Sequence, residues 1–112
     1  MTVLHVEAGR HLYGGALQVV YLLHGLQAEG VRNILVCPQG SAVAAAARET
    51  GAEVIETPMA GDADLGLVFR LRRIIRRERP DLVHLHSRRG ADLWGGIAAR
   101  LAGVPVILTR RV

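Results

Sequence analysis

The chain has 112 residues, half of them hydrophobic and few aromatic, which suits one domain with an aliphatic core and is too short for two. The 14 basic residues outnumber the 10 acidic ones, which gives a net charge of +4. All 14 are arginine, so any chemistry that needs a lysine of this chain is excluded. The single cysteine, Cys37, excludes an intramolecular disulfide and a cysteine metal cluster, and its apolar surroundings are typical of an inert core thiol.

Short strands alternate with helices along the whole chain. Strands are predicted over residues 2–6, 33–37, 53–57, 82–86 and 104–109, and helices over residues 16–29, 42–50, 65–79 and 91–102. Ser41 is expected to cap the second helix with its side chain, and Asp81 to shape the entry to the fourth strand. This alternation predicts an α/β fold, a Rossmann-like three-layer sandwich with a parallel sheet of order 3-2-1-4-5.

The sequence stops directly after the fifth strand, so we expect a truncated domain. Its last strand would leave apolar surface exposed at the sheet edge, and a homodimer through that edge is the resulting hypothesis. The chain begins without a secretory signal and has no apolar run long enough to cross a membrane, which predicts a cytoplasmic protein.

The loop after the first strand, residues 7–15, is rich in glycine. It fails the P-loop pattern because Gly15 and Ala16 stand where Lys and Ser or Thr are required, and it does not match G-x-G-x-x-G. Gly14 and Gly15 at a helix start would present free N–H groups to an anion, assisted by the helix dipole. A tight turn that needs close backbone packing explains the two glycines equally well.

Two histidines lie in the fourth strand, and the second of them, His86, falls at its end. In the predicted strand order the carboxyl ends of strands one and four meet at the switch point, where ligands bind. We therefore expect His86 to contact a ligand, as a hydrogen-bond donor to a sugar hydroxyl or a phosphate. His5 and His84 lie inside strands and are expected to be structural.

Polar and basic residues follow the last two strands and are candidates for holding an anionic ligand. They are Ser87, Arg88, Arg89, Arg110 and Arg111. Helix capping by Ser87 and solvent exposure of the arginines are the alternatives. The arginines of the third helix surround an apolar stripe, so a solvated face is expected, with contact to an anionic membrane as a second interpretation. Nucleic acid is disfavoured because no aromatic residues alternate with these arginines.

Three segments together resemble a known family. They are VLHVEAGRHLYGGALQVVYLLHGL, VCPQGS and RRERPDLVHLHSRRGADLWGGIAARLAGVPVILTRRV, and in this order they resemble the amino-terminal domain of family-four (group 1) retaining glycosyltransferases of the GT-B fold. The resemblance implies a nucleotide-sugar donor as substrate, no cofactor and no metal. It implies that Gly14 and Gly15 lie against the donor diphosphate, that His86 is the catalytic residue beside the donor sugar, and that the residues after strands four and five form the acceptor side.

The resemblance also implies a missing partner, because the family's second domain binds most of the nucleotide and carries a Glu-x7-Glu motif that this sequence lacks. Residues 1–112 are therefore expected to be an incomplete acceptor-side domain, inactive alone. The whole enzyme would work in bacterial carbohydrate biosynthesis, with a glycan or lipid-linked acceptor of the envelope-polysaccharide or lipopolysaccharide type, at the inner face of the membrane. The alternatives are half of a GT-B nucleotide-sugar epimerase and a stand-alone α/β module that binds an anion or nucleotide.

Overall fold

The computed structural model describes residues 1–8, 14–59, 65–86, 100 and 102–109. The strands are β1 (Thr2–Glu7), β2 (Arg32–Pro38), β3 (Glu53–Thr57), β4 (Leu82–His86) and β5 (Val106–Thr109). The helices bounded within these residues are α1 (Gly14–Ala28), α2 (Ala42–Glu49) and α3 (Leu65–Glu78). Most of the helix predicted over 91–102 lies outside the described residues.

The five strands form one sheet of order β3-β2-β1-β4-β5, and every neighbouring pair is parallel, which confirms the predicted α/β topology. The amino ends of β1 and β4 are joined twice. The Thr2 N–H donates to Asp81 Oδ2 at 2.7 Å, and the Asp81 N–H donates to the Thr2 carbonyl at 2.8 Å. Asp81 thus anchors the entry to β4, as expected from its position before the strand.

The sheet buries two apolar layers, one on each face. The first lies between the sheet and α3 and includes Leu4, Val6, Ile34, Val36, Leu67, Leu71, Ile75, Val83 and Leu85. The second lies under α1 and α2 and includes Val19, Leu23, Leu35, Cys37, Val43, Ala44 and Ala47. Successive strand residues point to opposite faces, which is why strands that are almost wholly apolar can serve both layers.

Several boundaries differ from those predicted. β1 runs through Glu7, which we had assigned to the loop, and α1 begins at Gly14 rather than at residue 16. α3 ends at Glu78 because Pro80 disfavours the helical conformation at the residue before it, and Arg79 takes a positive φ of 49°. β5 begins at Val106, two residues later than predicted, since Pro105 has no N–H to donate.

The prediction that Ser41 caps α2 with its side chain was wrong. Ser41 occupies the N-cap position with extended backbone, but its hydroxyl makes no cap hydrogen bond. Its carbonyl instead accepts from the Ala44 N–H at 3.2 Å, and its hydroxyl lies against the Cys37 thiol. Cys37 is fully buried and burial raises its pKa, as fits an inert core thiol.

An ion-pair network closes the amino edge of the sheet. Arg32 on β2 bonds Glu53 on β3 through Nε at 2.7 Å and through Nη2 at 3.1 Å, and Nη2 also lies 3.1 Å from Glu78 on α3. One side chain thus joins two strands and a helix. The bidentate geometry is favourable, although each pair is partly exposed and contributes little on its own.

β5 forms one edge of the sheet and carries exposed apolar side chains. Val106, Ile107 and Leu108 are 37%, 47% and 46% exposed. The described residues therefore agree with the expectation of apolar surface at this edge. None of the described helices is both long and apolar enough to cross a membrane.

The packing of α3 can be tested with two residues of the same helix. Leu71 is fully buried in the first layer, whereas Phe69 is 67% exposed. We expect Leu71→Ala to lower the free energy of unfolding by about 2–5 kcal/mol, because it leaves a cavity in the layer. The matched control Phe69→Ala should change it by about 0.5 kcal/mol or less. Urea denaturation followed by circular dichroism measures both, and equal effects would contradict the assigned helix face.

Candidate functional site: a histidine cluster at the β1–β4 junction

Three histidines meet on the sheet face that α1 covers. His5 and His84 are cross-strand partners, and His86 lies two residues after His84, so all three side chains point to the same face. The ring centroids lie 5.7 Å apart for His5 and His84, 5.2 Å for His5 and His86, and 3.8 Å for His84 and His86. We call His5, His84 and His86 the histidine cluster.

A chain of buried hydrogen bonds runs from α1 to His86. Asn33 Nδ2 lies 3.3 Å from the Leu23 carbonyl of α1, and Asn33 Oδ1 lies 3.1 Å from His5 Nε2. His5 Nδ1 in turn lies 2.9 Å from His86 Nε2. Both nitrogens of His5 are thus engaged, as expected of a structural histidine. We call Leu23, Asn33, His5 and His86 the polar chain.

His84 is hydrogen-bonded to a residue outside the cluster. Its Nε2 lies 2.6 Å from Thr109 Oγ1 at the end of β5. This bond crosses from β4 to β5, where Thr109 is the register partner of His86. His84 is half-buried and links neighbouring strands, in agreement with a structural role.

The surroundings of His5 keep its imidazole neutral at physiological pH. Burial lowers the pKa of His5 to about 4, the hydrogen bond with Asn33 opposes that change, and the nearby His84 adds to it. The fully buried ring therefore binds a proton only in acid. A neutral imidazole carries one N–H and one acceptor nitrogen, so each of its two hydrogen bonds has a defined direction.

Three imidazoles this close also raise the question of a metal ion. One ligand nitrogen from each ring can be chosen so that all three lie within 4.8 Å of one another. Two nitrogens bound to one tetrahedral zinc ion are about 3.3 Å apart, given bonds of about 2.0–2.1 Å. The 2.9 Å between His5 Nδ1 and His86 Nε2 is shorter and has the length of an N–H···N hydrogen bond. The arrangement described here is therefore a hydrogen-bonded one.

His86 lies at the carboxyl end of β4, as predicted, but its ring is only 1% exposed. We had expected it to donate a hydrogen bond to a ligand, whereas its Nε2 already faces His5. Any ligand contact must therefore involve the rest of the ring or the adjoining backbone.

A buried carboxylate lies at the same edge of the sheet as His86. Glu7 is the last residue of β1, it is 8% exposed, and it is the register partner of His86. Sequence reasoning missed it because the residue was assigned to the glycine-rich loop. The signal that could have found it is an acidic residue directly after a buried strand, at the edge where ligands bind.

Gly14 and Gly15 form the first residues of α1. A helix that crosses over between parallel strands runs antiparallel to them, so its amino end lies at the carboxyl edge of the sheet. The first N–H groups of α1 have no partner within the helix and point toward that edge. The backbone of the two glycines and the end of β4 are thus at the same edge, while their role in binding stays a prediction.

The remaining predicted site residues, Ser87, Arg88, Arg89, Arg110 and Arg111, lie outside the described residues. Ser87 directly follows His86, and Arg110 directly follows Thr109. Because His86 and Thr109 are register partners, β4 and β5 end side by side at this edge. Their assignment to the acceptor side stays a prediction.

A shallow groove of about 370 Å³ opens at the opposite, amino edge of the sheet. It is lined by Gln27, Gly30, Val31, Arg32, Asn33, Gly51 and Glu53. Its charged residues Arg32 and Glu53 are already paired with each other. Ligands of parallel sheets bind at the carboxyl edge, so we assign the site to the histidine cluster and not to this groove.

The parallel sheet of order β3-β2-β1-β4-β5, covered by helices on both faces, defines a Rossmann-like domain. The chain belongs to Glycosyltransferase Family 4, whose family model matches residues 13–110. No curated protein sequence matches it.

Solved structures share the fold at low sequence identity. A glycosyltransferase from Rickettsia africae has a TM-score of 0.75 and 19% identity over 96% of this chain and 28% of that one. Anabaena Alr3699/HepE in complex with UDP and glucose has a TM-score of 0.77 and 16% identity over 96% and 29%. A structure described as a UDP-N-acetylglucosamine 2-epimerase from Listeria monocytogenes has a TM-score of 0.74 and 14% identity over 96% and 30%. The chain therefore spans about a third of the length of these proteins.

The depressed pKa of His5 predicts a pH dependence of stability. His5 takes up a proton near pH 6.5 in the unfolded chain but only near pH 4 in the folded one, so the unfolded state binds more protons between these values. The free energy of unfolding should fall as the pH is lowered from about 6.5 to 4, with a His5 contribution of up to about 3 kcal/mol.

Chemical denaturation across this pH range measures the effect. His5→Gln should show a weaker pH dependence than the parent chain, because the residue that takes up the proton on unfolding is gone. His24→Gln, which removes an exposed histidine of α1, is the matched control for the loss of a histidine side chain. A His5→Gln profile with the slope of the parent would contradict the assignment.

Proposed function

We propose that the chain is the amino-terminal, acceptor-side domain of a nucleotide-sugar-dependent retaining glycosyltransferase. The observation that carries the proposal is the juxtaposition at the switch point. β1 and β4 are neighbours, β1 leads to the amino end of α1, and β4 ends in His86, so a helix amino terminus and a buried histidine share one sheet edge. Membership of Glycosyltransferase Family 4 supports this use of that edge.

The donor diphosphate would lie against the first turn of α1. The backbone N–H groups of Gly14 and Gly15 would hydrogen-bond its oxygens, and glycine lets the backbone approach closely. As the bond to the sugar breaks, negative charge grows on the leaving diphosphate, and donors already in position stabilise that charge. This stabilisation uses backbone groups and needs neither a metal nor a lysine.

His86 would form the floor of the donor-sugar site, with Glu7 opposite it across the strand pair. Its burial suits this role, because a polar group fixed in a low-dielectric site needs little reorganisation during the reaction. The binding of UDP and glucose by Anabaena HepE, a protein of the same fold, is the relevant analogy.

The acceptor would bind beside the ends of β4 and β5, where Ser87, Arg88, Arg89, Arg110 and Arg111 follow in sequence. Guanidinium groups suit a phosphorylated or otherwise anionic acceptor, such as a lipid-linked glycan of the bacterial cell envelope. Work on such an acceptor fits a cytoplasmic protein in peripheral contact with the inner face of the membrane. Nucleic acid is not proposed as a partner.

The rest of the donor site would come from a second domain. The chain spans about a third of its structural neighbours, and a diphosphate held by one helix end needs further partners for its nucleotide. We therefore propose that this chain alone catalyses no transfer. The apolar edge strand β5 is the surface through which the chain would pair with a second copy.

A second candidate function is half of a nucleotide-sugar epimerase. The likeness to the Listeria structure, with a TM-score of 0.74, is the observation that favours it. Both functions would use the same diphosphate site, so only acceptor binding distinguishes them. A transferase domain would bind an acceptor beside β5, whereas an epimerase half would not.

Nucleotide binding can be tested on the isolated chain by recording amide NMR spectra during titration with UDP, GDP and pyrophosphate. We expect shifts at Gly14 and Gly15 at millimolar ligand, because their N–H groups would bond the diphosphate. Gly25 and Gly30, farther along and beyond α1, are matched controls and should not move. Unchanged Gly14 and Gly15 signals with all three ligands would refute the assigned diphosphate site.

A further inference from the structure

We infer that Asn33 and His5 are positioning residues that hold His86 in its Nε2–H form, so that His86 meets a ligand as a hydrogen-bond acceptor through Nδ1. This inference deepens the proposed function and rests on it for the identity of the ligand. The protonation pattern itself is a property of the ligand-free chain. It follows from the order of donors and acceptors along the polar chain.

The first step is set by the main chain. The Leu23 carbonyl can only accept, and it lies 3.3 Å from the Asn33 side chain. The amide nitrogen must therefore face it, because the opposite orientation would bring two oxygens together. This fixes the Asn33 amide and leaves Oδ1, an acceptor, facing His5 at 3.1 Å.

The second step determines which nitrogen of His5 donates and which accepts. Since Asn33 Oδ1 accepts, the His5 proton resides on Nε2. The ring is fully buried and neutral at pH 7, so Nδ1 carries a lone pair and must accept. Its partner at 2.9 Å is His86 Nε2, which therefore donates.

The third step gives the polarity of His86. With its proton on Nε2, and with its ring only 1% exposed beside two other imidazoles, the neutral form of His86 has an acceptor nitrogen at Nδ1. Glu7, the register partner of His86, is the carboxylate on the same sheet face, and His84 is the adjoining titratable group. Any partner of Nδ1 must supply a hydrogen.

This polarity selects among the groups of a nucleotide sugar. A sugar hydroxyl can donate to Nδ1, whereas a diphosphate oxygen at neutral pH can only accept. His86 therefore suits the sugar of the donor and disfavours its phosphates, which changes our expectation that His86 would act as a donor to either group. The diphosphate would instead be bound by the N–H groups of α1.

The inference predicts a defined nitrogen NMR spectrum for the 15N-labelled, ligand-free chain at pH 7 in the presence of EDTA. His5 and His86 should both show protonated Nε2 and unprotonated Nδ1. A scalar coupling between His5 Nδ1 and His86 Nε2 should report the hydrogen bond that joins them. A protonated Nδ1 in either residue, in a neutral or a cationic ring, would overturn the inference.

Variants of Asn33 separate positioning from simple packing. In Asn33→Leu the acceptor for His5 Nε2–H is lost, so the reversed arrangement becomes competitive and His86 should no longer be wholly in its Nε2–H form. Asn33→Asp keeps an acceptor for His5 Nε2–H but loses the donor to the Leu23 carbonyl, so it should keep Nε2 of His5 protonated while weakening the contact with α1. An Asn33→Leu spectrum with His86 unchanged would show that the direction is not set by Asn33.

The matched control is Thr109→Val, which removes the partner of His84 on the same sheet face. It should leave the tautomers of His5 and His86 as they are in the parent. If Asn33→Leu does not fold, the spectrum of the parent chain still decides the question. The outcome is independent of nucleotide titration: unchanged Gly14 and Gly15 signals would refute the diphosphate site without altering the tautomers, and a wrong tautomer would refute the polar chain even where UDP binds.

Discussion

The reciprocal bonds between Thr2 and Asp81 fix how β1 lies against β4. In that register His5 faces His84 and Glu7 faces His86. A slip of one residue would turn every side chain of one strand to the opposite face, and the histidines would enter the aliphatic layer under α3. His5 and His86 are separated by about eighty residues in sequence. Their alignment thus depends on the Thr2–Asp81 bonds at the amino edge of the sheet.

The polar chain introduces polar groups into a face that is otherwise aliphatic. Burying an amide and two imidazoles is costly unless each is hydrogen-bonded, and a partly bonded network would be worse than an apolar one. The polar chain ends at the main-chain carbonyl of Leu23 in α1. The position of this helix and the protonation pattern of His86 are therefore connected through three hydrogen bonds. The same helix presents Gly14 and Gly15 at its amino end. Helix α1 therefore contributes to both parts of the proposed donor site, the diphosphate site at its amino end and the sugar site at His86.

Much of the fold could be predicted from the sequence. The polar–apolar alternation of residues 53–57 predicted β3, and the apolar run after Pro80 predicted β4, both with their observed limits. The alternation of strands with helices predicted the strand order. The errors lie at ends where local signals conflict. Gly14 and Gly15 have poor helix propensity yet begin α1, and Pro105 shortens β5.

The site was only partly predictable, because its contacts join residues distant in sequence. The strand order brings β1 and β4 together and so could have suggested that His5 meets His86. Nothing in the local pattern around Asn33 distinguishes a buried hydrogen-bonding amide from an ordinary strand residue. Its importance depends on the approach of the Leu23 carbonyl, which is a matter of how α1 packs on the sheet.

The ion pairs of Arg32 lie at the amino edge of the sheet, whereas His86 ends β4 at the carboxyl edge, about 15 Å away along the strands. Substitutions at the carboxyl edge can therefore alter what is bound there without disturbing the contacts that tie β2, β3 and α3 together. This separation offers a physical reason why proteins sharing only 14–19% of their residues with this chain retain the same architecture.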